Sequence, residues 1–60
     1  KTTIIKLENI STIGRRKCNL AIDRINREHG TTYGKKSNPV KAREVLQKAM
    51  IETKTATIEL

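Results

Sequence analysis

Two clusters of cations carry the most specific chemistry this sequence offers. Arg15, Arg16 and Lys17 are consecutive, and Lys35, Lys36, Ser37 and Asn38 run directly into Pro39. Lysine and arginine side chains neutralise phosphate oxygens. A hydroxyl and an amide ahead of a helix can add hydrogen bonds beside the positive end of the helix dipole. Both clusters therefore suit a polyanion gripped through its phosphates, although a solvated face or a plain capped loop would use the same residues. Arg24 and Arg27 continue one side of the segment that begins at Arg15.

Catalytic chemistry lacks an inventory. His29 is the single histidine, Asp23 the single aspartate and Cys18 the single cysteine, and none sits in a recognisable nucleophile–base pattern. No enzyme activity is expected. One histidine and one cysteine cannot make the usual four-ligand zinc site, and Cys18 cannot close a disulfide within the chain, so no metal and no cofactor are expected. Gly14 and Gly34 form no phosphate-binding fingerprint, because neither follows a strand and opens a helix at the required spacing. His29 suits a helix C-terminus, where an imidazolium meets the negative end of the dipole. Cys18 reads as a small core residue.

Thirteen basic residues against six acidic ones give a formal charge of +7 on 60 residues. Such a balance favours nucleic acid or another anionic surface, though it also serves solubility alone. Readers of single strands and RNA loops need aromatic platforms on which bases stack, and Tyr33 is the only aromatic residue. Duplex DNA is the better match, with Tyr33 read as a packing lid over its loop. A chain this short buries only about 60% of its unfolded surface. With no staple available, a homodimer is expected. There is no apolar run long enough for a membrane span and no signal peptide pattern, so the expected location is cytoplasmic, associated with the nucleoid. The first residue is not Met, which is expected of a piece of a longer chain.

The elements that must position these residues follow from periodicity and punctuation. Residues 2–7 are β-branched and partly alternating, which predicts a short strand with Thr3, Ile5 and Leu7 on one face and Thr2, Ile4 and Lys6 on the other. Residues 8–11 form a polar break, and Ser11 or Thr12 can cap a helix. A helix is expected over residues 13–29, its buried face carrying Cys18, Ala21, Ile22 and Ile25, with Ile13 and Leu20 on the arginine side. Gly30 stops it. Residues 30–38 are a loop by composition, and Asn38-Pro39 starts a second helix that reaches about residue 53, with Ala42, Val45, Leu46, Ala49 and Met50 as its buried stripe. The tail alternates Thr55, Thr57 and Glu59 with Ala56, Ile58 and Leu60, a second strand or a linker. The fold class is α+β.

In order and size this pattern resembles the ribbon–helix–helix DNA-binding proteins, on the ribbon-like residues 2–7, the first-helix stretch 20–30 and the pairs Val45-Leu46 and Ala49-Met50. The resemblance implies a dimer whose paired ribbons enter the major groove. Thr2, Ile4 and Lys6 would then face the bases, Thr3, Ile5 and Leu7 would pack inward, and Lys35, Lys36, Ser37 and Asn38 would clamp phosphate. It implies a transcriptional repressor or a plasmid or phage DNA-organising protein, with no small-molecule substrate. The tail has no counterpart in that minimal fold and could pair with the first strand instead, giving β-α-α-β. Other readings stay open. A winged-helix or excisionase-like DNA binder would need a helix break near Gly14 that makes residues 12–19 part of a separate helix, and the tail from Thr55 to Leu60 as half of a wing. An interaction module or small inhibitor could dock on an acidic partner, and an RNA-binding module is the third alternative.

Overall fold

A computed structural model describes residues 3–60; the candidate base reader Thr2 lies outside the described residues. The element order is β1 (Ile4–Lys6), a 3-10 helix (Leu7–Thr12), α1 (Arg15–His29), α2 (Pro39–Glu52) and β2 (Thr57–Glu59). β1 and β2 pair antiparallel in the register Ile4 with Glu59, Ile5 with Ile58 and Lys6 with Thr57. The tail is thus a strand and the chain folds as β-α-α-β. No helix among the described residues is long and apolar enough to cross a membrane.

The strand is shorter than its composition predicts, and the polar break is a helix. Leu7, Ile10 and Ile13 recur every three residues, the period at which 3-10 side chains eclipse, and Ile10 and Ile13 are buried. Leu7 therefore leaves the strand and stays 40% exposed instead of packing inward beside Ile5. Neither Ser11 nor Thr12 caps α1: the Thr12 hydroxyl donates back to the Asn9 carbonyl at 2.8 Å, inside the 3-10 turn. Gly14 is the cap, so α1 begins two residues later than expected, and Ile13 joins the core rather than the arginine side.

The core is aliphatic. Ile5 and Ile58 come from the sheet, Ile10 from the 3-10 helix and Ile13 from the residue that follows it, Cys18, Ala21, Ile22 and Ile25 from α1, and Ala42, Leu46, Ala49 and Met50 from α2. Val45 of the expected stripe, Tyr33 and Leu60 pack at its rim. Ala21, Ala42 and Ala49 are fully buried, which lets the two helices approach closely.

Gly30 ends α1 at φ 66°, the left-handed geometry a glycine adopts without strain. Residues 30–38 then double back along α1 as an extended strap. Asn19 donates to the Lys36 carbonyl at 2.8 Å and accepts from the Lys36 N–H at 3.1 Å; Asn26 does the same for Tyr33, both at 2.9 Å. The two repeats match because seven residues of helix rise about 10.5 Å and three residues of extended chain about 10 Å. Between them the Lys35 ammonium meets the Asp23 carboxylate at 3.2 Å. Because the strap returns to the start of α1, both helices begin at the same end of the molecule. The Arg43 Nε near the start of α2 donates to the Ile13 carbonyl at 2.8 Å, while His29 at the end of α1 lies 3.3 Å from the Thr55 hydroxyl just beyond α2.

α2 closes with paired C-terminal bonds, Thr55 N–H to the Met50 carbonyl at 2.9 Å and Lys54 N–H to the Ile51 carbonyl at 3.2 Å. In this motif the residue after the cap is left-handed, and here it is Lys54, at φ 56°. A side chain in that conformation costs about 1 kcal/mol that glycine avoids. Lys54→Gly is expected to raise the melting temperature by about 4–8 °C, read by thermal denaturation followed by circular dichroism.

Candidate nucleic-acid interface

The parallel helices bring the two cation clusters to one pole. Arg15, Arg16 and Lys17 form the first turn of α1, all exposed, and the bonds from Asn19 hold Lys36 alongside that turn. Lys41 and Arg43 of the early turns of α2 complete the pole. Neither helix has an acidic residue in its first turn. That distribution opposes the helix dipole, whose positive end favours carboxylates and disfavours cations by about 0.3–1 kcal/mol each.

The two N-termini differ in what they leave available. In α2, Pro39 has no N–H, and the Asn38 Oδ1 accepts from Val40 N–H at 2.8 Å and Lys41 N–H at 3.3 Å. Asn38 is therefore a cap, as its sequence position indicates, and its acceptor and the amides it caps are already paired. In α1, Gly14 provides no side-chain cap, and the first main-chain bond of the helix runs from Cys18 N–H to the Gly14 carbonyl at 3.1 Å. The amides of Arg15, Arg16 and Lys17 precede that bond, and all three residues are exposed.

Beside them a groove of about 460 Å³ opens between β1, the 3-10 turn and α1, lined by Thr3, Ile4, Ile5, Asn9, Thr12, Ile13, Gly14, Arg16 and Lys17. Ile4, an expected base reader on the strand, thus shares a surface with Arg16 and Lys17. Ile4 is 54% exposed, its side chain opposite Glu59. Lys6 is exposed opposite Thr57 and does not line the groove. Within the strap, Lys35 is paired with Asp23, and Lys36 and Ser37 are exposed. The outer side of α1 continues as Arg16, Leu20, Arg24 and Arg27, with Leu20 50% exposed and Arg24 bonded to Glu28 at 3.0 Å.

Asn19 and Asn26 are the residues the sequence reading missed. Two asparagines a heptad apart, flanking Asp23 on a helix followed by a polar loop, were the available signal. Arg43, half-buried, is a structural residue through its bond to Ile13.

Cys18 and Tyr33 are two titratable groups whose surroundings shift them. Burial pushes the Cys18 thiol above its ordinary pKa, with Arg43 opposing in part, so the thiol is held in its unreactive form. The Tyr33 hydroxyl donates to the Glu52 carboxylate, and that bond, with some desolvation and the carboxylate's charge, raises its pKa. Among the described residues no group of His, Cys, Asp or Glu is placed to hold a metal ion. No family model, curated protein or solved structure matches the chain.

Proposed function

We propose that this domain binds double-stranded DNA and presents the N-terminal turn of α1 end-on to the major groove. The observation that carries this reading is the pole itself: three consecutive exposed cations, whose amides precede the first bond of the helix, at a helix start that no side chain caps. Folding alone would favour the opposite sign there, and an external polyanion removes the conflict. The strap covers the flank of α1 from Asn19 to Asn26 and leaves its first turn clear. An end-on approach puts Arg16 and Lys17 near base edges and leaves Lys36, Ser37 and Lys41 for the neighbouring phosphates.

The order of elements supports the same placement. A short helix, the two residues Ile13 and Gly14, and a longer helix follow one another, and the tail strand pairs with β1. The break near Gly14 separates residues 7–12 from α1, while α1 runs unbroken through Asn19, so residues 12–19 do not form the separate helix that the winged-helix alternative needs. In helix-turn-helix proteins it is the start of the second helix that meets the bases. A ribbon reading keeps β1 as the reader and rests on the exposure of Ile4 and Lys6.

Fluorescence anisotropy on labelled duplex DNA, with duplex RNA as competitor and salt from about 50 to 200 mM, tests the proposal. The expected log–log slope is about −4 or steeper, with DNA preferred. In a site-selection experiment Arg16→Ala should alter base preference while Lys6→Ala leaves it unchanged; the reverse favours the ribbon. Absence of binding at the lowest salt rejects the nucleic-acid reading and brings forward an acidic protein partner.

A further inference from the structure

The outward face of α2 meets no other part of the fold along most of its length, yet it carries large apolar side chains. Val40 and Ile51 are each 57% exposed, and Leu7 of the 3-10 turn, 40% exposed, lies beside Val40. Two adjoining grooves of about 310 and 330 Å³ run along this face and share Glu44 and Gln47. Val40, Glu44, Gln47 and Ile51 follow the four-, three- and four-residue steps of a single helical stripe, with Lys48 on its edge.

We infer that this stripe is a docking surface for a second copy of the chain, the two α2 helices packing antiparallel about a twofold axis. The stripe is its own complement. Turned end for end with its centre between residues 45 and 46, it sets Val40 against Ile51 of the other copy at both ends and brings Glu44 and Gln47 to the same level in the middle. Glu44 and Lys48 lie on one flank of the stripe, and in an antiparallel pair like flanks face each other. Each Glu44 therefore meets the Lys48 of the other copy, twice by symmetry. Among the described residues neither Glu44 nor Lys48 has an ion-pair partner within the chain, where the pairs are Arg24 with Glu28 and Lys35 with Asp23. Opposite charges at positions related by the twofold, between apolar ends, distinguish this face from the cationic pole, which would repel its own copy. One helix face against another lies at the small end of specific interfaces, so the dimer should form in the micromolar range.

Sedimentation velocity without DNA, at protein concentrations from about 5 to 500 µM, tests this. The mass should double across the range. Ile51→Asp should abolish dimerisation while the far-ultraviolet circular dichroism stays unchanged, because the side chain is outside the core. Glu44→Lys and Lys48→Glu should each raise the dissociation constant about tenfold or more, and the two exchanges together should restore it. A monomer at the highest concentration overturns the inference. So does a dimer indifferent to Ile51→Asp, or charge exchanges whose effects add instead of cancelling. These results do not depend on whether the domain binds DNA.

Discussion

Replacing Arg15, Arg16 and Lys17 together by alanine is expected to weaken duplex DNA binding by several hundredfold at about 0.1 M salt and to flatten the log–log salt slope by about 2.7. Each phosphate contact releases about 0.9 counter-ion, which at that salt is worth nearly tenfold in affinity. The same substitution should make the protein more stable. It removes three cations from the positive end of a helix whose cap offers no side chain, and alanine is the best helix former. A gain of about 1 kcal/mol, or about 4–8 °C in melting temperature, is the expected size. The opposite signs make the experiment decisive. If these residues served the fold, affinity and stability would fall together; residues kept for a ligand at the expense of the helix move them apart. Lys35→Ala supplies the internal contrast, because that ammonium is already engaged by Asp23 and its loss should reduce affinity less than the loss of Arg16.

How far the sequence announces this pole depends on whether each signal is local. Gly30 and Asn38-Pro39 act through their own backbone geometry, and both are where a reading of turn chemistry puts them. The alternation from Thr55 to Leu60 is a strand because its apolar member Ile58 finds Ile5 opposite, which settles the choice between strand and linker. α1 starts later than the cap residues Ser11 and Thr12 predict, for a physical reason. Ser11 and Thr12 are good caps, but the three-residue spacing of Leu7, Ile10 and Ile13 favours a tighter helix that uses the Thr12 hydroxyl internally and hands the cap to Gly14. That displacement makes Arg15 the first residue of α1 and leaves three amides ahead of the first helical bond with no side-chain cap. The long loop carried the largest surprise. By composition it is structureless, and its order comes from α1 side chains that bond its backbone, helped by Tyr33 packed at the rim of the core.

That order leads to the second large effect, in the pair Asn19→Ala and Asn26→Ala. Asn26 donates to the Tyr33 carbonyl and accepts from the Tyr33 N–H and the Thr31 hydroxyl, all at 2.9 Å; Asn19 makes two such bonds to Lys36. A net value of about 1 kcal/mol per bond predicts a loss of about 2–3 kcal/mol for Asn26→Ala and about 1–2 kcal/mol for Asn19→Ala, which is more exposed. The double variant should lose about 3–4 kcal/mol, a large part of the roughly 3–9 kcal/mol that a chain of this length commands. Urea denaturation measures both. A surface loop that merely connects two helices would change by less than about 0.5 kcal/mol, and that result would remove the strap from the account. The stakes extend to the pole, because the strap is what makes the helices parallel. A flexible nine-residue connection can also join antiparallel helices, which would place the start of α2, with Lys41, at the far end of α1 from Arg15. Pinning Tyr33 to Asn26 and Lys36 to Asn19 fixes the direction of the return path. Two asparagines thus help hold this sequence to one cationic pole instead of two separate patches, and amide hydrogen exchange at Tyr33 and Lys36 should be protected in the parent and lost in the double variant.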